Sequence, residues 1–138
     1  MDLNDLYQEL IIDHGTQPRN HHIMEDCNHD AEGFNPLCGD KIHVYILVEN
    51  NVIKDLSFIS KGCAISTASA SIMSQVLKDK TVSEAVVLFS QFQQLLTSEQ
   101  TISAESLGKL AALTGVRQYP SRIKCATLPW HTFKDALK

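Results

Sequence analysis

Three of the four cysteines stand beside glycine or at the ends of predicted secondary-structure elements, where side chains from separate elements can converge. Cys38 lies in NPLCGD, Cys63 in KGCAIS and Cys125 in RIKCATLPW, and Asp40 follows Cys38 by two residues. Three thiolates and one carboxylate are the right number and type of donors for a tetrahedral zinc site or an iron site. The pattern therefore indicates a shared metal or thiol site, with buried structural cysteines as the alternative.

A predicted β-hairpin explains how two of these thiols could meet. Apolar and polar residues alternate over residues 41–48, residues 49–51 have turn chemistry, and residues 52–59 continue the apolar pattern. Antiparallel pairing folds the two outer ends of a hairpin side by side, so Cys38 and Cys63 are expected at one edge of the sheet. Cys63 would also start a helix, whose amino terminus favours a thiolate.

The rest of the chain combines helical periodicity with a long polar stretch over residues 15–40, which either is functional or contains a further short strand near residues 31–34. Apolar residues at helical spacing predict five helices. They run from residue 3 to a stop at Gly15 and Pro18, over 64–78, over 82–96, from about 103 to 115, and from Thr127 or Pro129 to 138. Ser83 or Thr81 could cap the helix over 82–96. Pro120 is expected in a loop. This order predicts an α+β fold with a small antiparallel sheet.

Composition limits the classes of function. With 138 residues, the chain is expected to form a single domain over residues 1–138. Twelve basic and 16 acidic residues give a net charge of −4, which argues against a nucleic-acid partner. No basic segment precedes an apolar run at the amino terminus, and no apolar stretch is long enough for a membrane span. We therefore expect a cytoplasmic protein with reduced thiols and no membrane partner.

The three cysteine motifs together resemble one family. NPLCGD, KGCAIS followed by TASASIM, and RIKCATLPW resemble the IscU/SufU/NifU amino-terminal family of iron–sulfur cluster assembly proteins, and LYQELIIDHGTQPRN is similar to its first helix and loop. The resemblance covers residues 3–137. It implies a three-stranded antiparallel sheet with helices on one side and a metal site at the sheet edge. It also implies that Cys38, Asp40, Cys63 and Cys125 are the metal or cluster ligands.

Two features make the chain resemble the SufU branch of that family. Lys124 occupies the position before the third cysteine, where the IscU branch has histidine, and residues 101–119 form an extra segment. By resemblance, the protein would bind zinc and accept sulfur on Cys38 from a SufS-type cysteine desulfurase, then pass it to downstream cluster assembly or acceptor proteins. Arg122 and His14 are the candidate contacts with the partner, although a structural hydrogen bond is an equal alternative for His14.

Two other functions remain open at this point. The same ligands suit a scaffold that binds iron or a [2Fe–2S] cluster and transfers it, and a purely structural zinc is a third possibility. Among the remaining residues, Cys27 is expected to be an idle or buried thiol. Trp130 is expected either to anchor a partner or to cover the core.

Overall fold

The antiparallel sheet that the sequence predicts is present. The structure is a computed structural model that describes residues 3–36, 39–97 and 109–138. Its strands are β1 (His29–Asn35), β2 (Asp40–Glu49) and β3 (Val52–Lys61), hydrogen-bonded in the order β1-β2-β3 with antiparallel neighbours. Asn50 and Asn51 join β2 to β3 with φ of 53° and 63°. Two positive φ values define a tight hairpin turn whose twist matches the strands.

Helices cover one face of the sheet. They are α1 (Leu3–Thr16), α2 (Ala64–Leu77), α3 (Val82–Thr97), α4 (Lys109–Leu113) and α5 (Ile123–Ala136), with 3₁₀ turns at Thr114–Gln118 and Pro120–Arg122. Helices α2 and α5 pack directly on the strands, and α1 packs on α2. Among the described residues, no helix combines the length and apolarity that a membrane crossing requires.

The core lies between the sheet and the α2–α5 layer. Trp130 of α5 is fully buried, and its ring centroid lies 5.1 Å from that of Phe92 and 5.9 Å from that of Phe89. Its indole Nε1–H donates to Ser69 Oγ on α2 over 3.1 Å. Trp130 is therefore a core residue in this structure, which decides between the two roles that the sequence allowed.

The last helix begins at Ile123, which is earlier than predicted, and Pro129 therefore lies inside it rather than at its start. Proline lacks the N–H that would bond to the carbonyl four residues earlier, so a helical pattern is expected to break there. Helix α5 nevertheless continues through this residue, since tertiary burial of its apolar face outweighs the local propensity. Cys125 consequently lies in the first turn of α5 rather than in a loop. Pro120 likewise opens a short 3₁₀ turn instead of a loop.

Helix α1 also departs from its predicted pattern. Leu6 shares the apolar helical spacing of Tyr7, Leu10 and Ile11 in the sequence, yet it is 43% exposed, whereas His14 is fully buried. The helix ends at Thr16, between Gly15 and Pro18 as predicted, and a Cβ atom at Gly15 would lie 3.1 Å from Ala64 Cβ. Glycine at this position also lets α1 approach α2 closely.

The segment after α1 lies along the outer edge of β3. The backbone N–H of Phe58 donates to the Asn20 carbonyl over 3.0 Å, and the backbone N–H of Ser60 donates to His21 Nε2 over 3.2 Å. His21 forms an isolated parallel bridge with Phe58. The edge of the sheet that faces away from β2 is therefore covered by the chain itself over these residues.

Candidate metal centre

The register of the β2–β3 hairpin brings Asp40 next to Cys63. Lys41 pairs with Lys61, so Asp40 at the start of β2 and the residues after β3 are neighbours. The backbone N–H of Cys63 donates to Asp40 Oδ1 over 2.7 Å, and the Cys63 thiol donates to Asp40 Oδ2 over 3.7 Å. Asp40 is fully buried, and these bonds fix its carboxylate toward the thiol.

Gly62 makes this approach possible. Its φ of 145° lies in a region that L side chains rarely adopt, and a Cβ atom there would lie 2.8 Å from Asp40 Cα. A side chain at this position would therefore push the end of β3 away from the start of β2. The glycine in KGCAIS is a requirement of the site geometry.

Cys63 is the N-cap residue of α2, as the sequence predicts. Its sulfur accepts a hydrogen bond from the backbone N–H of Ser66 over 3.5 Å. The unpaired N–H groups and the macrodipole at a helix amino terminus stabilise negative charge there. The location therefore suits a cysteine that acts as a thiolate.

Cys125 approaches from the helix layer. It is fully buried in the first turn of α5, and its sulfur accepts a hydrogen bond from Asn35 Nδ2 over 3.9 Å. Asn35 ends β1, pairs with Asp40 in the β1–β2 register and is 6% exposed. Sequence reasoning missed Asn35, although it lies in the same NPLCGD motif as Cys38.

The donor atoms of Asp40, Cys63 and Cys125 all lie within 4.8 Å of one another. Zn–S bonds of about 2.3 Å and Zn–O bonds of about 2.0 Å put the donors of a tetrahedral site about 3.5–3.8 Å apart. Two thiols and one carboxylate at this separation fit a zinc or iron ion after small side-chain adjustments. Cys38, the fourth expected ligand, lies outside the described residues.

A groove of about 360 Å³ opens beside this group. It is lined by Tyr7, Gln8, Ile11, Ile12, Ile65, Tyr119 and Arg122. Burial raises the pKa of Tyr7 to about 12, with further contributions from Tyr119 and Cys63, so its hydroxyl stays protonated near the thiols. Arg122 is exposed at this groove, which gives the mostly apolar surface a cationic side chain.

The second candidate for partner contact has a different environment. His14 is fully buried, and its Nδ1 lies 2.7 Å from Ser71 Oγ on α2. Ser71 Oγ also accepts a hydrogen bond from the backbone N–H of Arg19. His14 thus takes part in fixing the loop after α1 against α2, which favours the structural alternative over direct contact with a partner.

Cys27 lies apart from the metal-binding group. It is half-buried, and desolvation together with the neighbouring Asp30 and Asp26 raises the pKa of its thiol. His29 Nδ1–H donates to the Ala136 carbonyl over 3.1 Å, which ties β1 to the end of α5. Among the described residues, neither Cys27 nor His29 belongs to the group whose donor atoms converge at the candidate centre.

A family model with the description "NifU-like N terminal domain" matches residues 6–126 of the chain. The chain belongs to the NifU-like N-terminal domain family. This family assignment agrees with the resemblance of the cysteine motifs and with the observed fold.

Individual members of the NifU-like N-terminal family are similar over nearly the whole chain. The iron–sulfur cluster assembly scaffold protein IscU of Streptococcus pyogenes is 36% identical, with 99% of this chain and 85% of that protein covered. The zinc-dependent sulfurtransferase SufU of Bacillus subtilis is also 36% identical, with 98% and 91% covered. A crystal structure of a SUF-system scaffold protein from Fervidobacterium islandicum has a TM-score of 0.89 at 32% identity, with 98% of each chain covered. The chain is therefore an iron–sulfur cluster assembly protein of this family, and its relatives include both a scaffold and a sulfurtransferase.

Proposed function

We propose that this protein is a zinc-dependent sulfur acceptor and sulfurtransferase in iron–sulfur cluster assembly. Cys38 is the acceptor thiol, and Asp40, Cys63 and Cys125 form the metal site together with it. The observation that carries the proposal is the convergence of one carboxylate and two thiols within 4.8 Å, drawn from three separate elements. The donor is a cysteine desulfurase of the SufS type, and the reaction belongs to the reducing cytoplasm, where thiols stay reduced.

The transfer is a thiol–persulfide exchange without net oxidation. The Cys38 thiolate attacks the outer sulfur of the desulfurase persulfide, a new S–S bond forms on Cys38, and the S–S bond in the desulfurase breaks. The desulfurase cysteine leaves as a thiolate, and the transferred outer sulfur keeps its proton, so that Cys38 ends as a persulfide. Exchange of this kind requires a thiolate nucleophile, since a neutral thiol reacts poorly.

The other three residues keep the centre assembled while Cys38 reacts. When bound, zinc would hold its cysteine ligands deprotonated at neutral pH. Cys63 is supported by the amino terminus of α2, and the Asp40 carboxylate is fixed by the Cys63 backbone N–H. A centre with one carboxylate among its thiolates can open at one ligand position more readily than a centre of four cysteines.

The groove beside α1 is the proposed docking site for the desulfurase. Ile65 lines it two residues after Cys63, so a partner seated there reaches the centre. Ile12 and Tyr119 are exposed apolar residues in its lining, at 66% and 44%. Aromatic and arginine side chains such as Tyr119 and Arg122 are typical anchors in protein interfaces.

A second candidate function is assembly and transfer of a [2Fe–2S] cluster on the same ligands. The specific observation in its favour is the IscU scaffold of Streptococcus pyogenes, which is as similar in sequence as the sulfurtransferase. Thiolates with one carboxylate also suit an iron–sulfur cluster.

Alanine production by the cognate cysteine desulfurase, measured anaerobically without added iron, separates the two functions. We compare the enzyme alone with the enzyme plus the zinc-loaded protein, its Cys38→Ala variant and its Cys27→Ala variant. The sulfurtransferase function predicts a large acceleration that Cys38→Ala abolishes and Cys27→Ala retains. Mass spectrometry should then find one added sulfur on Cys38.

Two results would contradict the proposal. Acceleration that survives Cys38→Ala would assign the acceptor role to another residue. No acceleration by the zinc-loaded protein would favour the scaffold function, which iron loading and cluster reconstitution on Cys38, Cys63 and Cys125 would then test.

A further inference from the structure

Asn35 contacts the candidate centre without belonging to the proposed ligands. Its side-chain amide donates to Cys125 Sγ over 3.9 Å in a buried position, and the two residues are separated by 90 positions in the sequence. Its cross-strand partner on β2 is Asp40. The same residue therefore touches one proposed ligand through its side chain and holds another in register through its backbone.

An amide N–H directed at a thiolate has a defined effect. A hydrogen bond to an ionised acceptor is stronger than a neutral one, so this contact becomes more favourable when Cys125 is deprotonated and bound to a metal. It also draws negative charge from the sulfur and fixes the orientation of the side chain. Outer-shell hydrogen bonds of this kind tune metal ligands in other proteins.

We propose that Asn35 is a positioning residue that keeps the Cys125 thiolate on the metal. This inference rests on the proposed function. Its consequence for sulfur transfer is that the sulfur goes to Cys38 and not to Cys125. Cys63 receives a comparable N–H from Ser66 at the start of α2. Both described thiols of the centre thus accept a hydrogen bond that favours a bound, weakly nucleophilic thiolate.

The hydrogen bond can be detected directly in the unaltered protein. We would load the ¹⁵N-labelled protein with ¹¹³Cd and look for scalar coupling between the metal and the side-chain N–H of Asn35, transmitted through Cys125 sulfur. A resolved coupling is the expected result. If the Asn35 amide shows no coupling while cadmium is bound by the cysteines, the proposal is overturned, whatever the variants do.

Zinc affinity provides the second test, by competition with a chromophoric chelator. We expect Asn35→Ala to weaken zinc binding by about 10–100-fold, the usual effect of losing an outer-shell partner. The matched control is Asn28→Ala, which removes a side chain that bonds to the Val48 backbone at the opposite end of the sheet. Asn28→Ala should lower thermal stability and leave zinc affinity unchanged.

The result of the zinc measurement does not depend on the sulfur-transfer proposal, because the measurement contains no desulfurase. The two proposals can therefore be refuted separately. Unchanged zinc affinity in folded Asn35→Ala would reduce Asn35 to a structural residue, and equal weakening by Asn28→Ala would attribute the effect to the sheet. If both metal tests succeed, desulfurase-loaded Asn35→Ala should carry added sulfur on Cys125 as well as on Cys38. Sulfur found on Cys38 alone would remove the selectivity role and leave only the effect on the metal.

Discussion

The backbone N–H of Cys63 donates to the Asp40 carboxylate over 2.7 Å, across the open end of the β2–β3 hairpin. This bond joins the start of one strand to the residue that caps the following helix. The distance between the carboxylate and the thiol is therefore set by strand register and by backbone geometry at the end of β3. Changes to that backbone should affect the metal centre before they affect the rest of the fold.

Gly62→Ala should abolish tight zinc binding. The added Cβ would lie 2.8 Å from Asp40 Cα, and φ of 145° is strained for alanine, so the end of β3 must move. Zinc stoichiometry after dialysis measures the effect. Gly39→Ala is the control, since its φ of 70° costs about 1–2 kcal/mol of backbone strain but its Cβ would meet none of the described residues within 4 Å, its chain neighbours apart. Zinc retained by Gly62→Ala would show that the strand end can shift without loss of the site.

Removal of the metal should leave a folded protein. The core lies between the sheet and helices α2 and α5, and it includes the fully buried Trp130, Phe58 and Phe92, none of which is a proposed metal ligand. We expect the chelator-treated protein to keep the near-ultraviolet circular dichroism of Trp130 and to melt cooperatively at a lower temperature. An unfolded protein after chelation would instead assign the zinc a structural role.

Thr81→Ala should destabilise the protein by about 1 kcal/mol, as the loss of an N-cap does. Thr81 Oγ1 accepts from the Glu84 backbone N–H over 3.1 Å, and Glu84 accepts from the Thr81 backbone N–H over 3.0 Å, which is a capping box. Ser83→Ala is the control, because the structure selects Thr81 between the two caps that the sequence allowed. Equal losses of unfolding free energy in urea for both variants would contradict this assignment.

The same cap predicts a pH dependence. Hydrogen bonds from Thr81 lower the pKa of Glu84 below its ordinary value of 4.5. A carboxyl whose pKa is lower in the folded state stabilises that state above its unfolded pKa and loses the contribution as pH falls through the folded pKa. The difference in stability between the original protein and Glu84→Gln should therefore shrink as the pH falls below about 4.5. A difference that stays constant down to the acid transition would contradict the role of the charge.

Two buried serines should respond oppositely to truncation. Ser69 Oγ accepts from the Trp130 indole and donates to the Ala126 carbonyl over 2.5 Å, so Ser69→Ala leaves the buried indole N–H without its partner and should cost about 1–3 kcal/mol. Ser57 Oγ is buried without a hydrogen-bond partner among the described residues, so Ser57→Ala should be neutral or stabilising. Urea denaturation of the two variants tests the pair, and a loss at Ser57 as large as that at Ser69 would refute the distinction.

Local sequence patterns predict the hairpin because alternation and the Asn50–Asn51 turn depend only on neighbouring residues. The start of α5 could not be predicted in this way, since Pro129 indicates a break unless the burial of the whole helix is known. The role of Asn35 depends on a contact with Cys125, 90 positions away, and the burial of His14 depends on Ser71, 57 positions away. Contacts of that kind arise only after the helices have packed on the sheet. The proposed ligand set rests on the resemblance of the cysteine motifs, and the structure brings three of its four residues together, Asp40, Cys63 and Cys125.

The loop that follows α1 has a consequence for the behaviour of the protein at high concentration. An uncovered edge strand offers a row of free donors and acceptors on which a second molecule can grow a continuous sheet. Asn20 and His21 already occupy the outward-facing N–H groups of Phe58 and Ser60. This stretch of β3 therefore cannot serve as a template for edge-to-edge aggregation. The loop after α1 thus protects the protein against aggregation as well as connecting two elements.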